Sequence, residues 1–407
     1  MINKNFIILL IGQSITMFGS AILRFALALY VLSTTGRSDY FAILLALSTI
    51  PLIIVTPLSG VLVDRVNKKA LMVLIDLASA VIILLFAVFI QYTEPSLFVI
   101  GLIMILMAVI SAIEQPNSQA VLPLVVTEDY IIKANGLVTS IGSLSGLIAP
   151  LLGGVMYSFF GLNALVIVTL ISFVIAVIFE CFITIPKTID STKFTLNDLK
   201  NDFKEGVHYI TKENHFIYKI TILAALLNLF MSPFILVGIP YLIKVVTEAS
   251  DSLYGIAQAI IEFSMVIGAI SVSIIGAKLA IKRIYKYILI SLLGFIPVLL
   301  ATLPFVLDNN KFISYLLLIF GTALISVVVM MISVYVIGLV QKDTPKQLLG
   351  KVMALLFTIS QCVAPIGQIL YGMLFEIFKN SSYIPIIVVV ITTIIISLKA
   401  RKDLANY

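Results

Sequence analysis

Apolar residues in this chain neither alternate at a strand period nor form the narrow stripe of a water-soluble helix. They run unbroken for about 20 residues at a time, the length that crosses a bilayer as a helix. Twelve such runs predict twelve helices. Helices 1 to 6 cover Phe6–Leu32, Tyr40–Val63, Ala70–Ile90, Leu97–Ala120, Leu137–Phe159 and Leu162–Ile185; helices 7 to 12 cover Ile220–Ile243, Leu253–Ile275, Tyr287–Leu307, Phe312–Val340, Val352–Phe378 and Tyr383–Leu398. A β-barrel is excluded, because its strands would alternate over about ten residues instead of staying apolar. The predicted fold class is an all-α polytopic membrane protein.

The polar breaks between the runs set the topology. With the N-terminus inside, 21 of the 26 Lys and Arg fall on the cytoplasmic side. Arg37, Lys244, Lys311 and Lys379 fall outside and Arg24 lies within helix 1. This bias places both termini in the cytoplasm. It also explains the net charge of +6, which in a soluble chain would suggest nucleic acid and here reflects loop lysines. At 61% hydrophobic and 11% charged residues, with a mean hydropathy of +1.18, the chain has the composition of a multi-pass protein of the cell membrane. The first run is too long for the apolar core of a signal peptide and reads as helix 1. Cys181 and Cys362 lie far apart within apolar runs, so neither a disulfide framework nor a metal site is indicated. They read as packing residues.

The two halves of the chain resemble each other at a constant offset. Gly60 with its basic turn recurs at Gly276, 216 positions on, and Ala149-Pro150 recurs at Ala364-Pro365, 215 positions on. Ala280 stands where Asp64 would map, so the second copy lacks the acid. Expected domains are therefore a six-helix half over 1–185, a cytoplasmic linker over 186–219 and a second six-helix half over 220–407. In the linker Leu196, Leu199, Phe203, Val207 and Ile210 recur at helical spacing, with Thr195 and Asp198 placed like a cap. That pattern predicts an amphipathic helix on the cytoplasmic face, a strap between halves or a lipid-sensing surface.

Between helices 2 and 3 stands Gly60–Lys69, GVLVDRVNKK: a glycine, an acid, then a burst of base. Charges of this density belong at the water interface. The decad resembles the signature of the major facilitator superfamily of transporters, with Gly60, Asp64, Arg65 and Lys69 on its key positions and Asn67 where the family usually has a second glycine. The resemblance implies a cytoplasmic gate in which Asp64 is held near Gly350–Val352. A positive-inside turn is the plainer alternative. Helix 5 carries Gly136, Ser145, Ala149, Pro150, Gly153 and Gly154, similar to the superfamily's antiporter signature, with Ser145 and Ala149 replacing two glycines; close packing of any two helices gives the same pattern. Pro116–Val125, Glu205–Ile210 and Gln341–Val352 resemble the branch of macrolide-efflux-like and enterobactin-exporter-like permeases.

Ionisable residues inside the membrane are the functional candidates. Glu262, near the middle of helix 8, is a proton carrier or a permanently protonated packing group. Gln13, Thr16, Ser20 and Arg24 share one face of helix 1, and in transporters of this fold helices 1, 4, 7 and 10 line the central cavity. Arg24 either meets substrate there or snorkels to the outer interface. Asn228 and Ser232 on helix 7 with Ser326, Met330 and Ser333 on helix 10 form the matching face. Asp76, Glu114 and Glu180 each lie several residues from a cytoplasmic helix end, and Asp76 and Glu114 read as gate salt bridges.

The expected activity is proton-driven export of amphipathic small molecules, a drug or a secreted metabolite, by alternating access. No phosphate-binding G-x-x-x-x-G-K-[ST] loop is present: Pro345 stands five residues before Gly350-Lys351. The expected energy source is a proton gradient, with no cofactor. Expected partners are the small-molecule substrate and membrane lipid, with the chain acting as a monomer. Alternatives are a lipid flippase or an uptake symporter on the same fold. A membrane hydrolase is the competitor from another class. His208 and His215 lie in the linker with no recognisable serine or cysteine partner, so the chain reads as a non-enzyme.

Overall fold

A computed structural model describes residues 4–127, 131–184, 204–275, 279–345 and 348–404. Among the described residues every regular element is helical, as a chain with no water to satisfy its backbone requires. The first four helices are α1 (Lys4–Thr35), α2 (Ser38–Arg65), α3 (Lys68–Tyr92) and α4 (Leu97–Val125). A run over Ile131–Cys181 follows, and within it Gly161 turns the chain at φ 67°, a conformation that costs glycine nothing. The turn divides the run into α5 (131–160) and α6 (162–181). The remaining spans are α7 (His215–Val246), α8 (Asp251–Ile275), α9 (Ile284–Thr302), α10 (Lys311–Asp343), α11 (Leu349–Ile377) and α12 (Tyr383–Leu404).

The pattern of apolar runs thus located each span, and the corrections lie at the ends. Helix 9 was expected to reach Leu307 but stops at Thr302. Leu303 precedes Pro304 and adopts extended backbone, because the proline ring disfavours a helical residue before it. Polar side chains hold several starts. Asn67 accepts from Ala70 N at 3.1 Å, Asn214 from Ile217 N at 3.1 Å, and Asn310 from Phe312 N at 3.0 Å.

The described residues form two compact units, neither contiguous in sequence. The first combines residues 4–34, 47–184 and 250–259. The second combines residues 35–46, 204–249 and 260–404.

In the first unit the ends of α1, α3 and α4 and the start of α5 share a core of Phe6, Leu9, Met72, Val121, Leu122, Val125 and Ala134, with Ile183 closing it. Asn5 clips α1 to the chain after α6, donating to Thr184 O at 2.9 Å. The antiporter-like stretch of α5 is a packing surface. Ala149 is fully buried, and Gly153 lies against the Phe25 ring. A methyl on Gly154 would come 2.6 Å from Asp251 O, and one on Gly255 would strike Pro150 O. The start of α8 is therefore in backbone contact with α5, as small residues allow.

The second unit is built around rings. Phe234 meets a tilted Phe295 at 5.5 Å, Tyr371 edge-on at 5.9 Å and a stacked Phe375 at 6.3 Å, and Tyr241 meets Phe375 at 5.6 Å. α7 loosens into wide turns at Phe234–Gly238 and Leu242–Val246. Pro233 has no N–H for the Leu229 carbonyl four residues before it, and Gly367 of α11 packs against that carbonyl.

The described tail of the linker docks on this unit. Tyr209 and Ile210 are buried in its core, Gly206 faces Leu355, and Glu205 pairs with Lys351 at 2.6 Å. Thr195, Leu196, Asp198, Leu199 and Phe203 lie outside the described residues, as does Gly276. In the turn before α2, Arg37 forks onto Asp39 with Nε to Oδ1 at 3.0 Å and Nη2 to Oδ2 at 2.5 Å. That hydrogen bond raises the guanidinium pKa above its usual value. Ser38 Oγ donates to Gly372 O at 2.9 Å, fixing the start of α2 on α11.

Candidate functional site

The polar residues of α1 converge on a group of acids within the first unit. Gln13, Thr16 and Ser20 are buried along one stripe, and Arg24, further along it, is exposed. Thr16 Oγ1 donates to Asp76 Oδ2 of α3 at 2.8 Å. Gln13 Nε2 donates to Ser118 Oγ of α4. On α6, Glu180 lies over Gly12 and within hydrogen-bonding reach of Asp76. Glu114 of α4 is partly buried and faces Asp76, with the charge of Arg24 acting on it. Four helices thus deliver one cluster.

Burial sets this cluster apart. Asp76 and Glu180 are each 2% exposed, and no other ionisable Asp, Glu, Lys or Arg among the described residues is so enclosed. Two ionised carboxylates cannot remain in contact where the dielectric is low. Their hydrogen bond therefore needs one proton between them. Three acceptor atoms in this unit accept nothing: Glu180 Oε2, Gln13 Oε1 and Asn117 Oδ1. The chemistry available here is the holding and release of a proton. Among the described residues no group of His, Cys, Asp and Glu is arranged to hold a metal.

The remaining predicted residues fall as follows. Lys69 Nζ donates to Cys181 O at 2.8 Å, a cation at the carbonyl end of α6. Asn117 Nδ2 donates to Lys68 O at 3.1 Å beside it. Gly60, Asp64 and Arg65 belong to the backbone of α2, but their side chains lie outside the described residues, and with them the expected approach of Asp64 to Gly350–Val352. In the second unit Glu262 is partly buried on α8, and Asn228 Nδ2 turns back to Ala224 O at 3.0 Å. Ser232 and Met330 are partly buried, Ser326 is fully buried with its hydroxyl unmatched, and Ser333 is exposed.

Sequence reasoning grouped Asp76 and Glu114 by depth but missed that the hydrogen bonds of Asp76 go to Thr16 and Glu180. The signal was faint: three acids at like distances from cytoplasmic helix ends, on helices whose neighbours periodicity does not reveal. Glu180 is the member it left out of the site.

A model of the Major Facilitator Superfamily matches residues 9–368. Macrolide efflux protein A of Streptococcus pyogenes is 25% identical over 88% of this chain and 86% of its own length. The protein of the same name from Enterococcus faecalis is 24% identical over 79% of this chain and 96% of its own length. Among solved structures, a D-xylose-proton symporter superposes with a TM-score of 0.73 at 12% identity, over 98% of this chain and 97% of the other. A bacterial homologue of the iron transporter ferroportin superposes with a TM-score of 0.72 at 16% identity, covering 98% of each chain. This chain belongs to the Major Facilitator Superfamily and is a multi-pass membrane transporter, not an enzyme.

Proposed function

We propose that this transporter exports amphipathic small molecules, with macrolide-like compounds as the first class to test, in exchange for protons. The observation that carries the reading is its relation, over most of the length of both chains, to efflux proteins from two genera. Those relatives are named for macrolides, and their names give the direction of transport and the chemical class proposed here. The proton as coupling ion is supported by the acids held at membrane depth: Asp76, Glu114 and Glu180 in the first unit and Glu262 in the second. In the first unit the polar stripe Gln13, Thr16, Ser20 and Arg24 of α1 is proposed to meet substrate, and in the second unit Asn228, Ser232, Ser326, Met330 and Ser333 of α7 and α10 are proposed as substrate-facing residues.

The test follows the pH gradient of acid-loaded inverted vesicles with a dye while macrolides, lipophilic cations and siderophore-like compounds are added in turn. Dye recovery with one class, absent from vesicles lacking the protein, supports antiport and identifies that class. Silence with every compound, in vesicles that nevertheless move labelled macrolide, would replace proton exchange with another drive. Movement of labelled lipid in their place would favour a flippase.

A further inference from the structure

The geometry points to the Asp76–Glu180 carboxyl pair, sharing a single proton beneath Thr16, as the site that loads and unloads the coupling proton, in place of Glu262. The assignment rests on the antiport reading above. It begins from the pair itself: two carboxyls from different helices, each 2% exposed, in hydrogen-bonding contact. The second observation is the set of buried acceptors left over. Glu180 Oε2 has no donor, and Gln13 Oε1, on the same α1 stripe one turn before Thr16, has none either. An unmatched carbonyl-type oxygen at such depth is costly, so the arrangement is poised to take up a donor.

Every element packed on the pair contributes to its control. Thr16 of α1 donates to Asp76 at 2.8 Å. Glu114 of α4 acts on Glu180 and is itself acted on by Asp76 and opposed by Arg24. The Cys181 thiol is next along α6, and its carbonyl is held by Lys69 at 2.8 Å. Thr16 is the link to transport. It sits on the face proposed to meet substrate, so a substrate that presses the hydroxyl onto Asp76 strengthens a donor that favours the ionised carboxylate and loosens the shared proton. The proton then leaves the pair as H⁺ to water, and both carboxylates separate by repulsion.

The test uses the purified full-length protein and needs no substrate for its first arm. The pH-difference infrared spectrum should contain a protonated-carboxyl stretch that moves in D₂O. D76N and E180Q should each abolish it, and E262Q should leave it. T16V retains both acids, and should shift the band even where an acid substitution folds poorly. A band that survives both D76N and E180Q, or that E262Q alone removes, would overturn the assignment. In the second arm, acid-loaded vesicles carrying D76N or E180Q should show no macrolide-driven dye recovery while still exchanging labelled for unlabelled macrolide. Recovery equal to wild type would refute the coupling role. If the band behaves as expected but wild-type vesicles exchange macrolide and never release protons, the antiport reading fails, and with it the coupling role, while the shared proton stands.

Discussion

The interiors of the two units are made of different chemistry. The first encloses carboxyls, amides and hydroxyls; the second encloses rings, with Phe234 at the centre of a cluster that ties α7 to α9 and α11. Buried polar groups in the second unit are serines, threonines and Gln368, and several turn back on their own helix, as Thr221 does to Ile217 O at 2.8 Å. The contrast teaches that the two units need not divide the work equally. One interior is suited to changing charge during a cycle, and the other to keeping its shape through it.

If that division is correct, substitutions in the two interiors should fail in different ways. The largest effect is expected from the acids. D76N or E180Q should slow gradient-driven macrolide export by about tenfold or more, equivalent to at least 1.4 kcal/mol. E262Q should slow it far less, and initial rates in proteoliposomes decide between them. Next, F375A should destabilise the protein by about 3–5 kcal/mol, as large ring deletions in packed cores do. Thermal unfolding in detergent reads this, and the protein that remains folded should keep its ratio of protons to substrate. A changed ratio would mean that the second unit also handles the ion.

A smaller effect is expected at the backbone contact of α5 and α8. The added methyl of G255A meets the Pro150 carbonyl, so the helices must shift, at a cost of about 1–3 kcal/mol. Lower melting temperature and slower turnover with an unchanged infrared band would separate this packing role from the proton site. The smallest change is expected from R37Q. Arg37 remains partly in water, so its fork onto Asp39 should contribute a slight rise in melting temperature that vanishes at high salt. Coupling should not change.

Much of this was legible in the sequence because the bilayer imposes so strong a constraint. Unbroken apolar runs gave every span, and the turn at Gly161 fell between two of them, whereas the break before Pro304 was passed over and helix 9 was drawn through to Leu307. Helical periodicity put Gln13, Thr16, Ser20 and Arg24 on one face, of which the first three are buried and Arg24 is exposed. What periodicity cannot supply is which helix lies opposite. The meeting of Thr16 on α1, Asp76 on α3 and Glu180 on α6 depends on tertiary packing, and in a uniformly apolar segment no face announces its neighbour. Likewise periodicity placed Lys69 at the cytoplasmic turn but did not name its partner, the carbonyl end of α6.

The most direct measurement compares two modes of transport in proteoliposomes containing E180Q: accumulation of radiolabelled macrolide driven by a pH gradient, and exchange of labelled for unlabelled macrolide with no gradient. The account predicts that accumulation is lost and exchange persists, because the substrate path is intact and only the proton has nowhere to sit. Accumulation at the wild-type rate would contradict it.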